Sequence, residues 1–283
     1  DYPMGRTGTN CGKSRDKSDW KSYYTFMNNQ LTELLTEYGP IGSIWFDGWW
    51  DHEEDSVPFD WQLPKQYELI HRLQPACLVG NNHHGAPMEG EDIQIFERDL
   101  PGEMTTGFAK SVAEVSRLPL ETCETMNGMW GYKVTDNNYK SAADIIRLLV
   151  KTSGTGANLL MNIGPQPNGE LPAVALQRLK ELGEWTKVYG ESIYGTDAGD
   201  LKPQPWGVTT MKDGKLYVHV IAPESLVPGD GGNPVLYLPL SRKVKSVTEF
   251  IGGEKVEYRK TSNGIAVVLP KDIDVVDYVL VIQ

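Results

Sequence analysis

The sequence predicts an α/β fold in which part of a (β/α)8-type barrel is followed by a C-terminal antiparallel β-sandwich. Helical and strand-like patterns alternate up to about residue 196, as they do in parallel βα proteins. Beyond a stretch at 197–206 that holds two prolines, short alternating runs are separated by Asp-Gly, Gly-Gly and Asn-Gly turns, which are typical of hairpins. We therefore expect a barrel-like domain at 1–196, a linker at 197–206 and a sandwich domain at 207–283.

The first domain contains five strand candidates. Each is a short apolar or alternating run bounded by turn residues, and their bounds are 43–46, 77–80, 92–96, 120–125 and 158–162. A closed barrel of this type has eight strands, so the N-terminal strands are missing from this chain. We expect them upstream of Asp1, in a longer protein, because the chain lacks an initiator methionine and opens on a loop-like segment at 1–17.

Four segments have the apolar spacing of helices, and their bounds are 18–38, 65–73, 141–152 and 172–190. Ser18 is a plausible N-cap of the first helix, and Gly39-Pro40 stops it. Ser141 and Asp144 are spaced as a capping box, and Pro172 suits the first position of the fourth helix. The second domain contains seven short strand candidates, which indicate a small antiparallel sandwich, at 207–212, 215–222, 235–239, 244–250, 254–260, 265–269 and 277–283.

Composition excludes several classes of function. The net charge of −11 argues against nucleic acid or an anionic membrane surface as a partner. No apolar run approaches the ~20 residues that span a bilayer, so we expect no membrane insertion. Cys11, Cys77 and Cys123 form neither a disulfide framework nor a zinc pattern. Gly154-Thr155-Gly156 precedes a strand instead of opening a helix, so it is no phosphate loop, and we expect neither a metal nor a cofactor.

The first candidate site lies at the end of the strand at 43–46, where an apolar run ends in Asp47-Gly48. Catalytic groups of α/β barrels lie at the carboxyl ends of their strands. Trp45 and Trp49 flank Asp47, and aromatic rings beside a carboxylate suit a sugar, which offers C–H bonds to rings and hydroxyls to acids. The competing interpretation is an Asp-Gly turn after a core strand.

Glu97 ends another strand-like run, so both carboxylates reach one face if the two strands belong to one parallel barrel. Two such groups are the minimum equipment of a glycoside hydrolase. Asp47 would be the nucleophile and Glu97 the acid/base, with burial near Phe96 raising the pKa of Glu97. Alternatively, Glu97 pairs with Arg98 or caps a turn. Four other acids compete with Glu97 for the acid role, namely Asp99, Glu103, Glu121 and Glu124.

His83 and His84 are adjacent, and adjacent side chains in an extended segment point to opposite faces, which makes joint metal chelation awkward. We expect one of them to bind a sugar hydroxyl and the other to have ordinary surface exposure. Trp130 is either another aromatic wall of the site or a core residue.

Several motifs in order resemble the α-L-fucosidases of glycoside hydrolase family 29. They cover residues 1 to about 196 nearly continuously and are IWFDG at 44–48, GEDIQIFERDLPGE at 90–103, ETC at 121–123, NGMWGY at 127–132, NLLMNIGP at 158–165 and GESIYGT at 190–196. The resemblance implies that Asp47 is the nucleophile and Glu97 the acid/base, and that the reaction retains configuration through a covalent fucosyl-enzyme. It also implies a fucose pocket that uses Asn82, His83 and His84.

The resemblance extends to Trp130 as a further residue of the fucose pocket, and the form of the acid/base segment is similar to the branch that prefers α-1,3/1,4-linked fucose. The early His-His-Asp-Gly motif and the tryptophan that hold the fucose hydroxyls in this family have no match here. The position and type of the second domain alone fit the family's C-terminal domain.

We therefore predict a retaining exo-α-L-fucosidase whose partners are fucosylated oligosaccharides or glycoprotein glycans and whose location is periplasmic or secreted. The alternatives are a non-catalytic carbohydrate-binding protein, an inactive fragment of a fucosidase, and a glycosidase with another sugar specificity.

Overall fold

The computed structural model describes residues 18–48, 59–107, 111–229, 232–271, 273 and 275–283. The chain divides into two compact units, Asp1–Glu121 and Thr122–Gln283. The expectations for Cys11, for the segment 1–17 and for Trp49 lie outside the described residues. Within those residues, no helix is long and apolar enough to cross a membrane.

The first unit is built on parallel strands. Its elements in order are helix α1 (Ser18–Glu37), strand β1 (Ser43–Phe46), helix α2 (Leu63–Leu73), strand β2 (Leu78–Asn81) and strand β3 (Ile93–Glu97). Strand β2 pairs in parallel with β1 and with β3, so that Phe46 is level with Asn81 and Asn81 with Gln94. The carboxyl ends of the three strands therefore point to the same edge, and β3 continues for three residues beyond the level of Asn81.

One face of this sheet is covered by the two helices. Trp20 and Leu35 of α1 and Tyr67 and Ile70 of α2 are buried in one cluster with Val79 of β2. The rings of Tyr67 and Phe46 meet edge to face, with centroids 5.3 Å apart. Side chains that alternate with this covered set point to the opposite face.

The opposite face of the sheet, which we call the open face, is exposed at β1 and β2, whereas Ile95 of β3 is buried on it. Trp45 keeps 42% of its surface exposed and Leu78 keeps 44%. Gly80 lies between Trp45 and Ile95, and a Cβ there would stand only 3.0 Å from Ile95 Cδ1 and 3.1 Å from Trp45 Cδ1. The absence of a side chain at Gly80 thus allows these two neighbours to approach each other on the open face.

The chain passes between the two units within strand β4 (Leu120–Thr125). The second unit continues with helix α3 (Ala142–Gly154), strand β5 (Ala157–Asn162) and helix α4 (Ala173–Tyr189). The capping box is confirmed, since Ser141 Oγ accepts from the Asp144 backbone N–H while Asp144 Oδ2 accepts from the Ser141 backbone N–H. Pro172 is the N-cap residue of α4 and precedes the first helical position by one residue.

The rest of the second unit is antiparallel. Its strands are β6 (Asp197–Ala198), β7 (Gly207–Lys212), β8 (Lys215–Val220), β9 (Val227–Pro228), β10 (Pro234–Leu238), β11 (Val247–Glu249), β12 (Tyr258–Thr261), β13 (Gly264–Val268) and β14 (Tyr278–Ile282). They form one sheet in the order β12-β13-β10-β9 and another in the order β11-β14-β8-β7-β6. Both sheets contribute to one hydrophobic cluster, for example Val218 and Leu280 from one and Leu236 and Val267 from the other.

The structure differs from the sequence prediction at 197–206. This segment contributes strand β6 and two core residues, Leu201 and Trp206, and is therefore not a linker. Helix α3 also packs directly on the antiparallel sheet, because Ile146 and Val150 share a cluster with Val208 and Ile221. The closed barrel, the sandwich and the domain bounds 1–196 and 207–283 stay predictions.

The contact between α3 and β7 generates a stability prediction. A Cβ built on Gly154, the last residue of α3, would stand 2.4 Å from Val208 Cβ. We expect Gly154→Ala to lower the free energy of unfolding by about 1–3 kcal/mol through overpacking, measured by urea denaturation. Gly183→Ala is the matched control, since no atom lies within 4 Å of its added Cβ in α4. That change should raise the free energy of unfolding by about 0.5–1 kcal/mol. Equal effects of the two changes would contradict the packing argument.

Candidate active site

The candidate site is formed by residues at the carboxyl ends of the three parallel strands. Asp47 comes directly after β1, Asn82 directly after β2, and Glu97 is the last residue of β3. Because side chains alternate along a strand, these three residues share the open face with Trp45 and Ile95. The sequence prediction that Asp47 and Glu97 reach the same face therefore agrees with the register of the strands.

A single amide group joins the two carboxylates. Asn82 Nδ2 donates to Asp47 Oδ1 at 3.2 Å and to Glu97 Oε2 at 2.8 Å, and we call this pair of bonds the Asn82 bridge. The two acceptor oxygens are therefore within about 6 Å of each other, since their separation cannot exceed the two distances combined. Retaining glycosidases hold their carboxyl groups about 5–5.5 Å apart, whereas inverting ones need about 6.5–9.5 Å.

His84 is the second donor to Glu97. Its Nε2 lies 3.0 Å from Glu97 Oε2, and its side chain is only 10% exposed. The backbone of His84 is in the left-handed region, with φ of 59°. Such a conformation is uncommon for a residue with a side chain and tends to occur at functional sites. Both donors reach Oε2, so Oε1 is the oxygen of Glu97 left to carry a proton.

The two carboxyl groups have pKa values displaced in opposite directions. Burial raises the pKa of Asp47, and the hydrogen bond from Asn82 only partly offsets this effect, while the charge of Glu97 adds to it. Burial also acts to raise the pKa of Glu97, but the hydrogen bonds from His84 and Asn82 outweigh it and lower the pKa below its ordinary value. The expectation that burial would raise the pKa of Glu97 was therefore wrong, because it omitted the two donors.

The four competing acids have different surroundings. Asp99 is buried and accepts hydrogen bonds from the backbone and hydroxyl groups of Thr105 and Thr106, which lower its pKa. Glu124 forms an ion pair with Lys140 at 3.4 Å. The pKa of Glu121 is raised by burial. Glu103 is exposed and lines a small pocket together with His84, Phe96 and Glu97.

His83 points away from this pocket. Its Nδ1 accepts from the Gly85 backbone N–H at 3.1 Å, so its Nε2 carries the proton and donates to the Glu91 carboxylate at 3.0 Å. The side chains of His83 and Glu91 are 6% and 1% exposed. The expectation that one histidine has ordinary surface exposure was therefore wrong, because each histidine is paired with a buried glutamate on its own side of the segment.

The two remaining aromatic candidates lie at different places in the fold. Trp45 is half-exposed on the open face, two residues before Asp47. Trp130 belongs to the second unit, where its carbonyl oxygen accepts from Asn162 Nδ2 at 2.8 Å. Its contribution to a fucose pocket, like that of Trp45, stays a prediction. Among the described residues, no group of three or more His, Cys, Asp or Glu side chains is arranged to hold a metal ion.

Sequence reasoning missed Tyr67 and Glu91. These two residues form hydrogen bonds with Asn81 and His83 on the covered face of the sheet. Tyr67 Oη donates to Glu91 Oε1 at 3.0 Å and accepts from Asn81 Nδ2 at 2.7 Å. A signal was present for Glu91, because it stands in the motif at 90–103 and has no opposite charge among its immediate neighbours. Tyr67 offered no such signal, since an aromatic residue on the apolar stripe of a helix is ordinary core.

Comparison with known proteins shows which family this chain belongs to. The model of the Alpha-L-fucosidase family matches residues 6–191. The human plasma alpha-L-fucosidase is 28% identical over 192 residues, which are 56% of this chain and 41% of the relative. The tissue alpha-L-fucosidase of Mus musculus is 33% identical over 196 residues, which are 65% of this chain and 37% of the relative.

Solved structures of alpha-L-fucosidases have a fold similar to that of this chain. Alpha-L-fucosidase isoenzyme 1 from Paenibacillus thiaminolyticus aligns with a TM-score of 0.72 and 29% identity, over 96% of this chain and 63% of that one. A family 29 alpha-L-fucosidase from Bacteroides thetaiotaomicron, trapped as a covalent intermediate with 2-fluoro-fucosyl fluoride, aligns with a TM-score of 0.74 and 22% identity, over 98% and 64%.

The matched relatives are longer than this chain, which spans about four-tenths of the human plasma enzyme and under two-thirds of the Paenibacillus enzyme. The family match nevertheless covers well over half of the chain and includes Asp47, Asn82, His84 and Glu97. By this match, the chain belongs to the alpha-L-fucosidase family.

Proposed function

We propose that this protein is a retaining exo-α-L-fucosidase that hydrolyses terminal α-1,3/1,4-linked L-fucose from glycans. The observation that carries the proposal is the Asn82 bridge, which holds oxygens of Asp47 and Glu97 within about 6 Å of each other. This upper bound lies below the spacing that leaves room for a water in inverting enzymes and admits the spacing of about 5–5.5 Å found in retaining enzymes. Membership of the family supports the choice of sugar.

The mechanism assigns one role to each carboxyl group. In the first step the Asp47 carboxylate attacks the anomeric carbon, while the bond to the leaving oxygen breaks and Glu97 donates a proton to that oxygen. In the second step Glu97 removes a proton from water, which attacks the same carbon and releases Asp47. Because Asn82 and His84 donate to Oε2, we assign both proton transfers to Oε1 of Glu97. The Bacteroides structure trapped as a covalent intermediate supports this two-step route.

The pKa displacements of the two carboxyl groups run against the roles that the mechanism assigns to them. The reaction needs Asp47 ionised and Glu97 protonated, whereas burial raises the pKa of Asp47 and the hydrogen bonds from His84 and Asn82 lower that of Glu97. A sugar hydroxyl that accepts the His84 proton would remove a donor from Glu97 and raise its pKa. We therefore propose that His84 forms a hydrogen bond with the bound sugar in addition to its contact with Glu97.

The remaining assignments follow the resemblance of the motifs. We propose that Trp45, Trp49 and Trp130 provide aromatic faces for the sugar and that Asn82 orients the nucleophile. His83 belongs to the same segment, and we assign it to support of the pocket because its imidazole is bonded to Glu91. The preference for α-1,3/1,4 linkages rests on the form of the segment from Phe96 to Gly102.

Fucosylated oligosaccharides or glycoprotein glycans are the proposed partners, and the proposed location is periplasmic or secreted. The plasma fucosidases among the relatives support a location outside the cytoplasm.

One observation favours a second candidate for the acid. The pKa of Glu121 is raised by burial, which is the direction that a general acid requires, and the pKa of Glu97 is lowered. Glu97 remains the preferred assignment because the Asn82 bridge joins it directly to Asp47.

Replacement of the nucleophile tests the enzyme against a carbohydrate-binding protein. We expect Asp47→Gly to lower turnover of an aryl α-L-fucoside by at least ~10³-fold, because the covalent step is lost. Added azide should restore turnover and yield β-L-fucosyl azide, since azide then attacks from the face that Asp47 occupied. Asp47→Asn should be equally inactive without azide. Unchanged affinity for fucose combined with no turnover by the wild-type chain would favour a binding protein.

Substrates with different leaving groups identify which residue is the general acid. We expect Glu97→Gln to lower kcat/KM by ~10²-fold or more for methyl α-L-fucoside, whose leaving group needs a proton, and far less for dinitrophenyl α-L-fucoside, which needs none. Glu121→Gln is the matched variant and should affect the two substrates equally. The reverse pattern would assign the acid role to Glu121.

The pH profile tests the contact between His84 and Glu97. Donors to the Glu97 carboxylate stabilise its ionised form, so we expect His84→Phe to raise the pKa of Glu97. Because Glu97 must be protonated to act, the alkaline limb of kcat/KM should move to higher pH. The acidic limb reports Asp47 and should move less. An unchanged alkaline limb would show that His84 does not control the acid.

A further inference from the structure

The segment from Asn81 to His84 has two differently occupied sides. Asn82 and His84 donate to Glu97 on the open face of the sheet. Asn81 and His83 alternate with them and take part in a buried network on the covered face, where Asn81 bonds to Tyr67 and His83 bonds to Glu91. Asn82 and His84 thus bond to the acids of the site, whereas Asn81 and His83 anchor the backbone of the same segment.

The directions of the hydrogen bonds in the buried network fit together without conflict. The Gly85 N–H donates to His83 Nδ1, and His83 Nε2 then donates to Glu91. Asn81 Nδ2 donates to Tyr67 Oη, whose own proton goes to Glu91 Oε1. The hydrogen bonds of Asn81 and of His83 therefore both lead to the carboxylate of Glu91. The side chain of Glu91 is 1% exposed, so its carboxylate needs these donors in place of water. Loss of one member of the network would therefore weaken the others.

The network also fixes the strained part of the segment. His84 is held at φ of 59°, and such a conformation persists only where surrounding contacts determine it. The bonds of His83 to Glu91 and to the Gly85 N–H lie directly before and after His84 in the chain. Loss of Glu91 would release His83 and allow the backbone at His84 to relax away from Glu97.

We propose that Glu91, bonded to Tyr67 and His83 on the covered face, is a positioning residue that keeps Asn82 and His84 on the acid/base Glu97. The proposal rests on the function proposed above, in which Glu97 transfers the proton. Glu91 lies on the far side of the segment and contacts neither the sugar nor the reacting atoms. Its effect reaches the reaction only through the placement of the two donors.

The test compares substrates with poor and good leaving groups in the full chain. We expect Glu91→Ala to lower kcat/KM for methyl α-L-fucoside by ~10²-fold, as misplacement of about 1 Å does, and for dinitrophenyl α-L-fucoside by less than ~5-fold. Glu91→Gln keeps an acceptor for Tyr67 and His83 and should restore most of the loss. Glu89→Ala is the matched control, because Glu89 is exposed in the same connection and should behave as wild type. Equal losses on both substrates, or none, would overturn the proposal.

Two further measurements keep the proposal testable if a variant or the reaction fails. Tyr67→Phe retains the ring that packs on Phe46 and removes one donor to Glu91, so it should show a weaker loss with the same dependence on the leaving group. The ¹⁵N signals of the His84 imidazole, assigned with His84→Phe, report its bond to Glu97 without catalysis. Glu91→Ala should move these signals toward those of a solvent-exposed imidazole, and unchanged signals would overturn the proposal. Absence of turnover in the wild-type chain would instead count against the proposed function.

Discussion

The site depends on one neutral amide that holds two carboxyl groups close together. Carboxylates with oxygens within about 6 Å of each other repel, and in a partly buried site the repulsion is stronger than in water. The amide of Asn82 makes the arrangement tolerable because one nitrogen supplies a proton to each carboxylate. A lysine there would attract both groups more strongly, but it would also hold both of them ionised. A neutral bridge leaves the proton free to move, which acid/base chemistry requires.

The parallel sheet places that amide where it is needed. Parallel pairing of β1 with β2 and of β2 with β3 brings Asp47, Asn82 and Glu97 to the same edge of the sheet. Each strand thus contributes one member of the site: an acid, the bridge and a second acid. Packing of α1 and α2 on the covered face gives this edge its rigidity, since Tyr67 contacts both Phe46 of β1 and the Glu91 carboxylate. The packing of the core on the covered face therefore determines the geometry of the site.

Much of this arrangement was predictable from the order of residues. A carboxylate at the end of each of two apolar runs implies one shared edge, and this argument placed Asp47 and Glu97 on one face. Other features depend on contacts that a linear pattern does not contain. The pKa of Glu97 is set by donors 13 and 15 positions away, so burial alone gave the wrong direction. The pairing of His83 with Glu91 depends on the turn between them. The packing of α3 on β7 depends on a glycine whose partner, Val208, is far along the chain.

The hydrogen bonds of the segment from Asn81 to His84 leave little freedom for a change in its length. Asn82 and His84 bond to Glu97, whereas Asn81 bonds to Tyr67 and His83 to Glu91. His84 reaches its position through a left-handed backbone conformation. Removal of one residue between Gly80 and Gly85 would therefore disturb the bonds on both faces at once, whereas a substitution at one of the four positions would remove only the bonds of that side chain.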